Sequence, residues 1–345
     1  MSFIENGFDN LNARTHHEEL LMGFQIANNF NLDELEMRKV YCETFIKMVE
    51  DGLPVMHLDA DCMTGIGILP YRNKYPNNII ACGVSEANMI SVAAGMSREG
   101  KIPFAHSLAS FASRRPYDQI YVSGAYAKCN IKIISTDSGI NAGFNGGTHA
   151  PIEDIAIMRA IPGMTILEPT DSVMLRDLLY KAVSNYGMYY FRLTRRKLTK
   201  IYEEGSTFSI GGSATIREGE DITVFTSGFL VAELIRLAEM LLKEGISVRV
   251  VDIYCLKPID TACIIKAAEE TGAVVTVENH NIIGGLGSAI AEVLVQNKPI
   301  PMEMVGIQDR FLFSASPTWL MENYGLTNEN IITSIRKTLS RKRDS

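Results

Sequence analysis

Apolar and polar positions alternate between two periods from about residue 35 onward. Leu35 to Glu50 carries apolar residues at helical spacing, and Val55-Met56-His57-Leu58 follows as a short strand-like run. Ile79-Ile80-Ala81-Cys82, Ile102 to Ala105 and Ile131 to Ser135 repeat the strand pattern, with helical stretches between them. After Met188-Tyr189-Tyr190-Phe191 the chain turns polar and glycine-rich from Tyr202 to Gly219, and then the alternation restarts. Ile222 to Phe225 and Val248 to Val251 read as strands, separated by a helix from about Leu230 to Lys243. A helix from about Asp260 to Glu270, a strand over Ala273 to Val277 and the turn Gly284-Gly285-Leu286-Gly287 opening another helix complete the pattern. Strands alternating with helices predict an α/β fold of two consecutive domains, each a mostly parallel sheet flanked by helices. The predicted division is a first domain over 36–207, a second over 208–345, and residues 1–35 as an N-terminal extension without a core of its own.

One carboxylate stands out within this frame. Glu86 opens the apolar helix that follows the strand Ile79 to Cys82, where open α/β sheets bind ligands. Ser85 before it is a suitable N-cap, and an acid in a first helical turn is ordinarily a matter of the helix dipole. The run Met89 to Met96 has almost no polar face, however, so the helix is expected to be buried on most sides and Glu86 with it. A buried carboxyl in an apolar pocket tends to hold its proton and is a candidate acid or base.

Composition narrows the function. The chain has 345 residues, 46% hydrophobic and 21% charged, with a net charge of −7. Its pI near 5.5 argues against a nucleic-acid surface, and the basic run Arg341-Lys342-Arg343 reads as a solvated tail. No apolar run is long enough for a membrane span and no signal pattern opens the chain, so a cytoplasmic location is expected. The six cysteines lack Cys-x-x-Cys spacing and read as reduced core residues, with neither a disulfide framework nor a zinc site. The turn at Gly284 lacks the dinucleotide spacing, and no phosphate-binding loop motif occurs.

Three further segments carry candidate chemistry. Asp137 to Asp154 is a glycine-rich loop after a strand and contains Asn145 and His149, which can face the same crevice as Glu86. Phe111, in the segment Phe104 to Ile120, serves either as core or as a stacking surface. Arg192, Arg195, Arg196 and Lys197 form either an anion-binding cluster or a solvated charge run.

Four motifs together resemble the C-terminal half of transketolase, the part encoded as a separate subunit in split transketolases. They are Gly83-Val84-Ser85-Glu86-Ala87-Asn88-Met89, Tyr117-Asp118-Gln119-Ile120, Gly147-Thr148-His149-Ala150-Pro151-Ile152-Glu153-Asp154 and Leu256-Lys257-Pro258-Ile259-Asp260. The resemblance spans about residues 36 to 340. It implies a thiamine diphosphate-binding pyrimidine domain followed by the transketolase C-terminal domain. The Gly-Asp-Gly segment that holds Mg²⁺ and the diphosphate in that family is absent here, so the resemblance implies half an enzyme. An N-terminal transketolase subunit with the diphosphate-binding domain would supply the rest, in an α2β2 assembly with self-association of this chain.

By that resemblance Glu86 is the glutamate that hydrogen-bonds the cofactor's aminopyrimidine and promotes its activation. Phe111 packs on the aminopyrimidine, and Asp61 lies close to the cofactor. His149 contacts the donor sugar near the bond that breaks, while Arg38 and Arg195 grip its far anionic group. Three positions depart from the family pattern: Thr136 where a histidine is frequent, Gly65 where a serine is common, and Asn145 where an aspartate reads hydroxyl stereochemistry. An amide in place of a carboxylate changes which hydroxyls are satisfied. The implied reaction is two-carbon ketol transfer from a sugar phosphate, or from a ketose with another anionic terminus such as a sulfonate, to an aldose. Alternatives are the β subunit of a 2-oxoacid dehydrogenase, with deoxyxylulose phosphate synthase as another relative, and a non-catalytic assembly subunit.

Overall fold

A computed structural model describes residues 23–343. The strands are β1 (Val55–Asp59), β2 (Ile79–Ala81), β3 (Ile102–Leu108), β4 (Lys132–Thr136), β5 (Met164–Leu167), β6 (Met188–Arg192), β7 (Ala214–Arg217), β8 (Ile222–Thr226), β9 (Val248–Asp252), β10 (Cys255–Lys257), β11 (Val274–Asn281) and β12 (Met302–Ile307). The helices are α1 (Met37–Glu50), α2 (Met63–Ile66), α3 (Glu86–Arg98), α4 (Ala109–Arg114), α5 (Tyr117–Gln119), α6 (Asp154–Arg159), α7 (Ser172–Ser184), α8 (Leu230–Lys243), α9 (Thr261–Thr271), α10 (Leu286–Asn297), α11 (Pro317–Asn323) and α12 (Asn328–Arg343). They build two sheets, one of seven strands in the order β10-β5-β6-β4-β3-β1-β2 and one of five in the order β12-β11-β8-β9-β7. All pairings are parallel except the edge strands β10 and β7. The fold class is therefore the one read from the alternation of strands and helices.

The strands β1, β4, β6 and β8 are buried at every position, as in a sheet covered on both faces, although each carries buried polar residues such as His57, Lys132, Arg192 and Thr223 among its apolar ones. Helix α8 falls on the predicted residues because eight of its fourteen are buried along one stripe. Each such aliphatic side chain contributes roughly 1.5–3 kcal/mol of burial.

The two sheets are not separate in sequence. β10 lies beyond β7, β8 and β9, yet it pairs antiparallel with β5 and closes the first sheet. The Leu256 to Asp260 motif thus begins in a strand that stitches the second unit to the first.

Three local expectations need correction. Ser85 occupies the N-cap of α3, but its side chain makes no capping bond. That helix buries Met89, Ile90, Ala93, Ala94 and Ser97, while Asn88, Ser91 and Gly95 face outward, so one side is open. The basic run Arg341 to Arg343 is no loose tail: it ends α12, where Arg341 pairs with Glu303 at 2.7 Å and Lys342 donates to the Asp221 carbonyl. Part of the N-terminal extension, residues 1–22, lies outside the described residues. Residues 23–35 pack on the same chain, with Phe24 against Tyr202 and Phe208 and bridges from Ile26 to Tyr202 and Leu32 to Thr199.

No helix among the described residues is long and apolar enough to cross a membrane. The six cysteines are free thiols, and burial pushes Cys42 and Cys255 up to about 12.

Candidate active site

Five adjacent strands of the first sheet end on one edge, because they run parallel in the order β6-β4-β3-β1-β2. Each predicted site residue after α1 follows one of those ends. Glu86 follows β2, Asp61 follows β1, Phe111 follows β3, Asn145 and His149 follow β4, and Arg195 follows β6. The topology therefore collects at one crevice residues that are up to 134 positions apart in sequence.

Glu86, Phe111 and His149 join in a single constellation. The Glu86 side chain is 3% exposed and accepts from Ser107 Oγ at 3.1 Å and from Arg115 Nη1 at 2.9 and 3.0 Å. The Arg115 guanidinium lies over the Phe111 ring, 3.8 Å from its centroid. His149 meets the same ring edge-on, at 4.9 Å between centroids and 68°. Thr148 Oγ1 sits 2.8 Å from His149 Nδ1, and Arg114 holds the Thr148 carbonyl at 2.7 Å, fixing the loop from which the imidazole projects. The apolar pocket expected around Glu86 is thus corrected: a guanidinium and a hydroxyl occupy its carboxylate.

Arg38 and Arg195 meet at Gly65 and form a second group of charged side chains. Arg38 Nη1 donates to the Gly65 carbonyl at 3.0 Å, and Arg195 Nη1 would lie 3.1 Å from a β-carbon on Gly65. Each arginine also faces a carboxylate. Arg38 Nε is 2.7 Å from Glu36, and Arg195 forks onto Asp137 through Nε at 2.9 Å and Nη2 at 2.5 Å. The Arg38 guanidinium, donating to Glu36, holds that carboxyl below its ordinary range.

The basic cluster expected after β6 splits. Arg192 is wholly buried between Asp154 at 2.9 Å and Glu168 at 2.6 Å and donates to the Asn279 carbonyl at 2.7 Å. Arg195 turns to the crevice, whereas Arg196 and Lys197 are exposed. Arg192 therefore fixes the two units to each other and holds no ligand.

Asp61 and Asn145 stand apart from both groups. Both are exposed, and neither side chain bonds another described residue. Asp61 adopts a left-handed backbone at φ +63°, a conformation that aspartate tolerates better than most L-residues. The next residue, Cys62, has its sulfur 4.0 Å from Ser107 Oγ, which sets this bend beside the partner of Glu86. Thr136, one of the departures from the family pattern, is buried, with its hydroxyl 3.2 Å from His106 Nε2.

Several contributing residues escape a reading of the sequence. Ser107 and Arg115 hold Glu86, and Asp137 holds Arg195 from a left-handed position at φ +61°. Asn279, from β11, accepts from the Ile140 amide at 2.9 Å and donates to the Ser138 carbonyl at 3.1 Å, clamping the start of the glycine-rich loop. Beneath them lies a buried chain from Tyr41 through His57 and Asp59 to His106. Burial opposes ionisation of Asp59, but hydrogen bonds from His106 and His57 outweigh it and hold the carboxyl below the usual range. His57, Asp59 and His106 are also close enough to share an ion, but their atoms are already engaged with one another. The useful signals were parity and position: Ser107 lies within β3, and Asp137 is the first residue past β4.

Two family models match, the transketolase pyrimidine binding domain over residues 33–200 and the transketolase C-terminal domain over residues 211–331. The 6-deoxy-6-sulfo-D-fructose transketolase subunit SqwH of Clostridium sp. (strain MSTE9) is 42% identical over 311 residues, covering 90% of this chain and 97% of that protein. One of the subunits of the apulose-4-phosphate transketolase of Phocaeicola vulgatus is 31% identical over 307 residues, covering 89% and 97%. Among solved structures, a split gene transketolase described as an inactive β4 tetramer superposes with a TM-score of 0.83 at 37% identity, covering 89% and 99%.

Proposed function

The chain belongs to the transketolase family, and on that premise we propose that it is one half of a split, thiamine diphosphate-dependent transketolase. It moves a two-carbon ketol unit from a ketose with an anionic terminus to an aldose. The observation that carries this reading is the line of contacts from Glu86 through Arg115 to Phe111, and from Phe111 to His149, at the carboxyl edge of one sheet.

The residues suit the cofactor's aminopyrimidine. A flat heteroaromatic ring needs an aromatic face and a carboxyl at its edge, and Phe111 and Glu86 offer both; the planar guanidinium of Arg115 makes the same two contacts. When bound, thiamine diphosphate supplies the electron sink for cleaving the ketose carbon–carbon bond. Glu86 would hold a proton at the pyrimidine edge, and His149 would bond the donor's oxygens near the scissile bond. Asp61 and Asn145, exposed past the ends of β1 and β4 on the same sheet edge, are assigned to cofactor and sugar hydroxyl contacts respectively. Mg²⁺ and the diphosphate belong to a partner subunit, so the chain alone is inactive and self-associates; with the partner it forms α2β2.

The donor is a sulfonated ketose. Arg38 and Arg195 each already face a carboxylate, Glu36 and Asp137, so the two guanidiniums at Gly65 bring little net positive charge of their own. Such a pocket suits a monoanion better than a dianionic phosphate, and the relative from Clostridium is named for a sulfo-sugar.

The test is reconstitution. The chain is mixed with a subunit carrying a Gly-Asp-Gly segment, thiamine diphosphate and Mg²⁺, and ketose sulfonates, ketose phosphates and 2-oxo acids are screened by mass spectrometry. An aldose shortened by two carbons supports the reading; turnover of 2-oxo acids alone replaces it with the dehydrogenase reading. A stable complex without turnover favours an assembly subunit.

A further inference from the structure

We propose that Arg115 is a built-in stand-in for the aminopyrimidine ring, a positioning residue that keeps Glu86 in place and must be displaced before cofactor enters. The proposal rests on the cofactor reading above. Its basis is a coincidence of contacts. One planar, N–H-bearing group lies 3.8 Å above the Phe111 centroid and donates to both Glu86 oxygens at 2.9 and 3.0 Å. That separation is ordinary stacking distance, so no second ring fits between guanidinium and phenyl. Arginine and pyrimidine are mutually exclusive on this face of Phe111.

The two partners differ in their freedom to move. Glu86 is 3% exposed and is fixed at the head of α3, whereas the Arg115 side chain is 45% exposed and hangs from the turn between α4 and α5. An arginine with nearly half its surface in water has room to swing out, at the cost of its two bonds to Glu86. The reason for its presence is electrostatic: a nearly buried carboxylate without a partner is costly, and Arg115 offsets that cost while the site is otherwise empty. Arg114 cannot take over, because it is engaged with Glu153 at 3.2 Å and the Thr148 carbonyl. A ligand that binds only the open form sees its affinity reduced by the open fraction. Arg115 therefore sets the apparent affinity for the pyrimidine without being needed for its contacts.

The experiment uses the full chain and the free pyrimidine 4-amino-5-hydroxymethyl-2-methylpyrimidine, titrated by calorimetry and ligand-observed NMR. Arg115→Ala is expected to bind it roughly tenfold more tightly than wild type, corresponding to an arginine in place about nine-tenths of the time. Arg115→Lys, which keeps the charge but loses the planar group, should fall between them. Sub-denaturing guanidinium chloride should compete with the pyrimidine more strongly in Arg115→Ala than in wild type, by refilling the vacated place. If wild type binds and Arg115→Ala binds equally or less well, the stand-in is overturned and the cofactor reading is untouched. If neither binds while both are folded by circular dichroism, the stand-in is overturned, because nothing then competes with Arg115 on this chain, and the cofactor reading is decided separately by the reconstitution above. Should Arg115→Ala not fold, Arg115→Lys decides: tighter binding supports the proposal, equal or weaker binding overturns it.

Discussion

Arg195 leans over Gly65 so closely that a β-carbon there would come within 3.1 Å of its Nη1. The near atom is the tip of a flexible side chain, so Gly65→Ala should leave the fold intact and shift the guanidinium by a few tenths of an ångström. That guanidinium is assigned to the donor's far anion, which is gripped alike in ground and transition states. The expected result is a donor KM raised roughly three- to tenfold with kcat within about twofold. A fall in kcat at unchanged KM would place Arg195 elsewhere in the reaction.

Asp137→Asn tests the charge balance of the same subsite. Asparagine tolerates the left-handed backbone that Asp137 adopts at φ +61°, so the substitution removes charge with little strain. Releasing Arg195 from its carboxylate adds one positive charge to the pocket. The ratio of kcat/KM for a ketose phosphate over the matching sulfonate should rise about tenfold, equivalent to ~1.4 kcal/mol. An unchanged ratio means that the pairing does not govern specificity.

Glu86→Gln keeps the shape of the side chain and removes its acid. In the assembled enzyme it should lower kcat by about 10²- to 10⁴-fold, with cofactor binding weakened far less. Undiminished ketol transfer would remove Glu86 from the mechanism.

Asp252 links stability to pH. It is buried, accepting from Thr170 at 2.6 Å and Tyr202 at 2.7 Å, and burial pushes its carboxyl from 3.8 up to about 7 despite those bonds. Between these values the unfolded chain has released a proton that the folded chain keeps, so this group's contribution to stability falls as pH rises. Asp252→Asn removes that loss. Relative to wild type, the variant should gain ~2–4 kcal/mol on going from about pH 5 to about pH 8, read from urea unfolding. A difference that stays constant across the range would show that the carboxyl titrates normally.

Arg192→Leu leaves Asp154 and Glu168 buried without their cation. The cost should be about 3–5 kcal/mol, seen as a lowered unfolding midpoint, because the lost partner exposes the desolvation of both acids. A shift no larger than that of a surface arginine substitution would sink this assignment.

The elements with strong periods were legible in the sequence and the others were not, for reasons visible in the fold. Helix α8 follows its apolar stripe from Leu230 to Lys243, and Ile222 to Phe225 is buried throughout. β7 escaped notice inside the polar stretch 202–219 because only Ala214 and Ile216 turn inward. β12 begins with half-exposed residues, so its apolar half starts only at Val305. β10 has three residues, a register shift and a partner in the other sheet, none of which leaves a local period.

The site was legible as a set of strand ends, and the resemblance assigned its roles. What remained hidden was pairing. Arg115 sits in a polar run that resembles a solvated surface, and only the turn after α4 aims it at Glu86. Arg192 and Arg195 differ by three positions, yet one closes a buried strand and the other lies past its end. Sequence spacing carries no record of that difference.

The strand Cys255–Lys257 has a consequence for anyone who would rearrange this protein. It belongs to the first sheet although the chain reaches it only after passing through the second. A cut in the polar stretch near residue 207 would leave β5 as a bare edge, inviting association with other chains. Chimaeras that exchange the second unit between relatives must therefore bring an edge compatible with β5. The two sheets must be transplanted as one piece.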